Sequence, residues 1–224
     1  MSGKVLAFIG GTGPEGLGLA VRFAAAGHEI VIGSRSPERA QQAVEKIRAR
    51  VPQVRATGMV NEEAVRRGNI VFVTIPFVGH RDTLEGLATA IGAKIVVDVV
   101  SPVSFGGGKI NAIAVPEGSA AEQAQALLPQ AQVVAGFHHL DAGRLMRVER
   151  PAEGDVIVCA DHQGAKETVM ALAEGIGGVR ALDGGPLANS RYLEEFTAVL
   201  LNLNKTYKAH TSLKIIGIPT TREG

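Results

Sequence analysis

Tryptophan is absent from these 224 residues, cysteine occurs once, and aromatic residues make up only 4%. A single thiol excludes an internal disulfide framework, so the cytoplasm is the expected location. Cys159 lies in the apolar run 156–160 and reads as a small core residue rather than a nucleophile. No apolar stretch approaches the roughly 18 residues of a membrane span, so no membrane partner is expected. The opening Met-Ser-Gly-Lys runs straight into an apolar strand and leaves no room for a signal peptide. Lys and Arg number 23 against 22 Asp and Glu, which gives no basic footprint for nucleic acid. Tyr192 and Tyr207 both lack the lysine of a Tyr-x-x-x-Lys pair, and no Ser/His/Asp order sits on a nucleophile elbow. His138 and His139 are the only paired imidazoles, and with Asp141 alone nearby they are too few for a metal site.

What is present is a nucleotide-binding unit at 5–35. The apolar run Val5 to Ile9 flows into Gly11-x-Gly13-x-x-Gly16 and then a helical stretch, Leu17 to Ala26. Gly11 permits the tight turn, Gly13 lets a pyrophosphate approach the backbone, and Gly16 allows close helix–strand packing. The helix aims its free N–H groups at the phosphates. About twenty residues further on, an NAD site would carry Asp or Glu for the ribose 2′-hydroxyl. Here stand Gly33-Ser34-Arg35, with Arg39 one helical turn later. A carboxylate would repel a 2′-phosphate, whereas a hydroxyl and two guanidinium groups attract it, so NADP is expected over NAD. The alternative is that Arg35 and Arg39 are solvated surface residues. Ser36-Pro37 reads as an N-cap with Pro at the first helical position.

Strand-like and helical stretches then alternate, as expected of an α/β, Rossmann-type doubly wound, mostly parallel sheet. Helices are predicted at 37–50 and 80–91, and strands at 54–59, 70–75, 94–100 and 133–137. Asn61 is predicted to cap a short helix, and residues 101–108 form a glycine-rich loop. Ser119-Ala-Ala-Glu122 is a capping box for a helix to about 128. Beyond a polar stretch at 141–154, strands are predicted at 155–160 and 179–182, and helices at 163–175 and 189–208. An NADP-binding domain over 1–138 and a small C-terminal α/β subdomain over 139–224 follow.

Ligands of such sheets bind beyond the carboxyl ends of the strands. Pro76, Phe77 and Val103 are there as apolar groups to flank a ring. His138, directly after a strand, is placed to bind a second substrate or shuttle a proton, or else is a satisfied core imidazole. Arg191 and Thr197 fall on the first turns of the last helix and reach toward an anion, unless Arg191 simply pairs with Asp183 or Glu195. Without a strong acid/base pair, the pattern suggests hydride exchange between two redox cofactors, where positioning does most of the work.

The segments GGTGPEGLGLA, HEIVIGSR, TGMVNEE, VTIP, KIVVDVVSPVS, GSAAE, VVAGFHH and DGGPLANSR, in order from residue 10 to 191, resemble the NADPH-dependent reductases of coenzyme F-420, the 8-hydroxy-5-deazaflavin hydride carrier. The resemblance implies NADP(H) held by Thr12, Gly13, Pro14, Glu15, Ser34, Arg35 and Arg39. Ile75, Phe77, Arg81, Val103 and Ala142 would line the nicotinamide end. The deazaflavin would lie between the domains near His138, Leu140, Arg191 and Thr197. It also implies small-molecule redox partners and a homodimer. Glu195 stands where a small hydroxyl residue is expected, and the sequence from Ser212 onward matches the family poorly. The competing readings are an NADP-dependent reductase of another small carbonyl, imine or metal substrate, and a non-catalytic NADPH sensor.

Overall fold

A computed structural model describes residues 3–218. The apolar stretch Val5–Ile9 forms β1, and Pro14–Ala25 forms α1 with proline in its first turn. β2 (Glu29–Ser34) leads to α2 (Pro37–Arg48), capped as expected by Ser36, whose Oγ accepts from the Arg39 N–H at 3.2 Å. β3 (Ala56–Val60), α3 (Asn61–Arg67), β4 (Ile70–Val73), α4 (His80–Ile91) and β5 (Ile95–Asp98) follow. Val60, not Asn61, is the N-cap of α3, because the Asn61 side chain is drawn to the glycine turn instead.

Residues 101–108 are not loop throughout. Val103–Gly106 (β6) and Lys109–Ala112 (β7) pair antiparallel around Gly107 and Gly108, both with positive φ. Two consecutive residues with positive φ make the tight hairpin turn that Gly-Gly forms without strain. The capping box is present: Ser119 Oγ accepts from Glu122 N–H at 2.9 Å and starts α5 (Ala120–Leu127). β8 (Gln132–Ala135) and a one-turn helix, α6 (Ala142–Leu145), precede β9 (Gly154–Val158), α7 (Gln163–Glu174), β10 (Val179–Asp183) and the long α8 (Ser190–Tyr207).

The main sheet is parallel throughout with order β3-β2-β1-β4-β5-β8. The reversal of direction between β1 and β4 puts a crevice at the carboxyl ends of those strands. Alternation along the pleat divides the core. Leu6, Phe8, Ile30, Ile32, Phe72 and Val97 face one layer, where α1, α2 and α7 pack. Ile9, Val71, Val73, Val96 and Val133 face the other, against α4 and α5. β9 and β10 pair with each other, and Cys159, just past β9, forms an antiparallel bridge to Ala135 of β8. Cys159 is buried, and its thiol is pushed up to about 11, chiefly by burial, as befits a core residue.

Buried Arg22 of α1 organises the polar stretch at 141–154: its guanidinium donates to the carbonyls of Arg144, Leu145, Arg147 and Arg150 at 2.7–2.8 Å. Of the C-terminal stretch from Ser212, the described part runs beside β9. Leu213 O accepts from Asp155 N–H, and the carbonyls of Ile215 and Ile218 accept from Arg180. Residues 219–224 of that stretch lie outside the described residues, as do Met1 and Ser2 of the opening segment.

Candidate active site

A cleft of about 490 Å³ opens at the carboxyl ends of β1, β2 and β4, lined by Thr12, Gly13, Pro14, Glu15, Ser34, Arg35, Arg39, Ile75 and Pro76. These are nine of the residues expected from sequence. Five further lining residues are not among those expected: Gly10, Asn61, Thr74, Gly79 and Thr83. Gly10 has φ +69° and is the residue of the turn that needs left-handed backbone, and its N–H donates to Asn61 Oδ1 at 3.4 Å. Thr74 Oγ1 donates to Ile9 O at 2.9 Å, tying β4 to the end of β1.

The turn's other glycines have separable jobs. A Cβ on Gly16 would lie 2.4 Å from Thr74 Oγ1, so that position is small because helix and strand touch. A Cβ on Gly13 would meet nothing nearer than Gly10 O at 3.9 Å. No packing demands glycine there. The open space leaves room for a ligand backbone over the α1 N-terminus, the fit expected of a pyrophosphate. Arg35 and Arg39 are exposed on the same cleft and make no ion pair or side-chain hydrogen bond among the described residues.

The remaining expected residues sit outside this cleft. Phe77, in a 3-10 turn at 77–79, stacks on the His80 ring with centroids 6.0 Å apart. Arg81 is paired with Glu117 and lies 3.7 Å from Glu85. Val103 opens the hairpin, Ala142 opens α6, and Leu140 is buried beside Gly154.

On the second side of the carboxyl edge, His138 follows Phe137, a non-glycine residue at φ +71°. Strained backbone of this kind gathers at functional sites. His138 is buried with neither ring nitrogen hydrogen-bonded among the described residues, and burial followed by the charge of His139 pushes its pKa down to about 3. It is a neutral imidazole. His139 donates from Nε2 to Leu193 O at 2.7 Å. Thr197 Oγ1 bonds Ser101 Oγ at 2.9 Å. Arg191 pairs with neither Asp183 nor Glu195: its Nη2 lies 3.1 Å from both Glu122 oxygens, and Nε donates to Ala188 O.

Beneath these residues runs a buried network that sequence spacing does not reveal. Gln123 donates its amide to Glu117 at 3.1 Å, leaving its carbonyl to accept from His80 Nδ1 at 2.9 Å, while Nε2 donates to Asp98 at 2.7 Å. Burial opposes the cation, but the Asp98 charge and hydrogen bond outweigh it and hold the His80 pKa above its ordinary value. Glu194 of α8 accepts from the Ala120 and Ala121 N–H groups, at 2.6 and 3.1 Å, at the start of α5. Burial, then the Asp98 charge, pushes Glu194 up to about 8.

A 3-2-1-4-5-type sheet with a glycine turn and a cationic pocket after β2 defines a dinucleotide-binding oxidoreductase of the NADP type. Residues 5–102 match the family model described as NADP oxidoreductase, coenzyme F420-dependent. The F420-dependent NADP reductase of Methanothermobacter thermautotrophicus is 37% identical over 96% of this chain and 95% of its own length. That of Methanocaldococcus jannaschii is 34% identical over 95% and 98%. The chain belongs to the F420-dependent NADP reductase family. A crystal structure of a candidate F420-dependent NADP reductase from Arthrobacter sp. FB24 has the same fold, with a TM-score of 0.81 at 23% identity over 95% of this chain and 98% of that one.

Proposed function

We propose that this chain is an oxidoreductase that passes a hydride reversibly between NADPH and coenzyme F-420. The observation that carries the reading is the identity, over nearly the whole chain, to reductases named for both cofactors. When bound, the two cofactors supply the redox chemistry, and the chain's residues bind, orient and exclude water.

The cleft at the glycine turn takes NADP. The free guanidinium groups of Arg35 and Arg39, with Ser34, bind the 2′-phosphate, and the backbone at 11–16 takes the diphosphate. Ile75, Phe77, Arg81, Val103 and Ala142 border the nicotinamide end. The deazaflavin lies along the second side. There His138 offers its unpartnered ring nitrogens and Leu140 an apolar wall. Arg191, partly exposed beside Glu122, offers positive charge, and Thr197 holds the segment after β5. The part after 138 acts as a small subdomain closing this site. It works in the cytoplasm on small redox cofactors and not on nucleic acid.

The functional unit is a homodimer. Tyr192, Val199 and Leu203 form an exposed apolar stripe on α8, beside exposed Phe105 of the hairpin packed against that helix. Light scattering of the purified protein at the mass of two chains is the expected result. The activity is tested by mixing the protein with NADPH and oxidised deazaflavin. Loss of the deazaflavin's visible absorbance supports the function, and its persistence overturns it.

A further inference from the structure

Glu15 is the second residue of α1, and it lines the cleft with its Oε1 shut off from solvent and unpartnered among the described residues. A buried carboxyl oxygen without a donor is costly, so its presence on the wall of a ligand cleft calls for a reason. Its position along the cleft supplies one. Arg35 and Arg39 mark the end next to β2, whereas Glu15 feels Asp141, the N-cap of α6, on the other side. A dinucleotide with its 2′-phosphate at the arginines and its diphosphate over the glycine turn carries its nicotinamide toward Glu15. The two redox forms differ there by one charge. The oxidised ring is a cation, the reduced ring is neutral, and the rest of the molecule is the same.

We propose that the Glu15 carboxyl tunes the cleft's preference between the redox forms of the nucleotide: ionised, it favours the cationic oxidised ring, and protonated, it is indifferent to the ring's charge. This rests on the reading of the cleft as the NADP site. Burial, then the charge of Asp141, pushes Glu15 up to about 8, so it titrates near neutrality. The surrounding charges are accounted for. Asp141 is engaged by the Arg144 N–H at 2.7 Å and by His210 Nδ1 at 2.9 Å. The Arg144 guanidinium is turned to Glu153, Arg22 is spent on carbonyls, and His138 is neutral. Arg35 and Arg39 share the cleft but meet the phosphate in both redox forms. A bound cation stabilises the carboxylate and lowers its pKa, so binding of the oxidised form releases a proton and tightens as pH rises. The reduced form has no such coupling.

Dissociation constants of NADP and NADPH, measured by calorimetry between about pH 6 and 9, test this. The ratio of the oxidised to the reduced constant falls about tenfold in the wild type, a modest share of the Coulomb energy of a near pair. It stays level in Glu15→Gln. Taking the ratio cancels the 2′-phosphate's own titration, which both forms share. In the wild type alone, calorimetry in two buffers of unlike ionisation enthalpy shows proton release with NADP and not with NADPH. A level wild-type ratio, an unchanged slope in Glu15→Gln, or equal proton release with both nucleotides overturns the inference and leaves the cleft assignment standing. Failure of the wild type to bind either nucleotide removes the NADP reading itself.

Discussion

The two sides of the sheet's carboxyl edge treat their polar groups in opposite ways. Around the glycine turn, Arg35, Arg39 and the Oε1 of Glu15 have no protein partner among the described residues. Across β5, α5 and α8, the polar groups are committed: His80 to Asp98 and Gln123, Glu194 to two backbone N–H groups, Arg191 to Glu122, Thr197 to Ser101. Unpaired groups beside a cleft are available to a ligand, whereas groups already paired hold element ends in place. His138 is the exception on the second side, with both ring nitrogens unpaired. On that spare capacity rests the proposal that it contacts the second cofactor.

Substitutions on the committed side should cost stability, and those on the uncommitted side should cost binding. The largest effect is expected at the buried pair. His80→Ala leaves the Asp98 carboxylate buried without its cation, which costs about 3–5 kcal/mol. For a chain of this size that lowers the melting temperature by roughly 10 °C. A thermal scan showing no change would mean that the network is ornamental. Gly13→Val comes next, with opposite character. It should leave the melting temperature near wild type, because the position has open space around it, yet abolish NADPH binding by calorimetry. Normal binding would reduce the glycine turn to a mere turn. Arg35→Ala is milder. Losing one charge-assisted phosphate contact costs about 1.5–3 kcal/mol, so the Michaelis constant for NADPH should rise roughly tenfold or more while that for NADH barely moves. An equal loss with both nucleotides would refute the 2′-phosphate assignment.

The contrast also explains what was legible in the sequence. The nucleotide half is built from local signals: a β-run, glycines at fixed offsets, Ser36 before Pro37, and arginines one turn apart. Each of these is set by residues within a few positions of one another, so the fold and nine cleft residues are legible directly. The second half depends on pairs far apart in the chain. His80 meets Asp98 and Gln123 at separations of 18 and 43 residues, and Arg191 meets Glu122 across 69. No periodicity encodes such meetings. Residues 101–108 read as a loop for another reason: the strands of the hairpin they begin are four residues each and mostly exposed, so they lack the buried alternation that marks a strand. Asn61 reads as a cap because that is what Asn before Glu-Glu usually does, whereas here its side chain holds Gly10.

The smallest expected effect is the one that bears most on the comparison, because Arg191 is the residue where commitment and availability meet. Its guanidinium is bound to Glu122, but the pair is partly exposed, with side chains 39% and 21% accessible. Water and salt screen a pair of this kind, so as a structural tie it contributes no more than about 1 kcal/mol. The tie and the proposed deazaflavin contact predict different patterns. If Glu122 only steers a cation that meets the acidic deazaflavin, Arg191→Ala raises the Michaelis constant for the deazaflavin several-fold, a typical loss for a partly screened charge contact. Glu122→Gln, which keeps the guanidinium and frees it from its counter-charge, leaves that constant unchanged or lowers it. NADPH kinetics move in neither variant. That is the expected outcome, measured by steady-state rates with each cofactor varied separately. Were Glu122→Gln to reproduce the defect of Arg191→Ala, Arg191 would belong with the committed groups, and the cation for the deazaflavin's acidic end would have to be sought elsewhere on the second side.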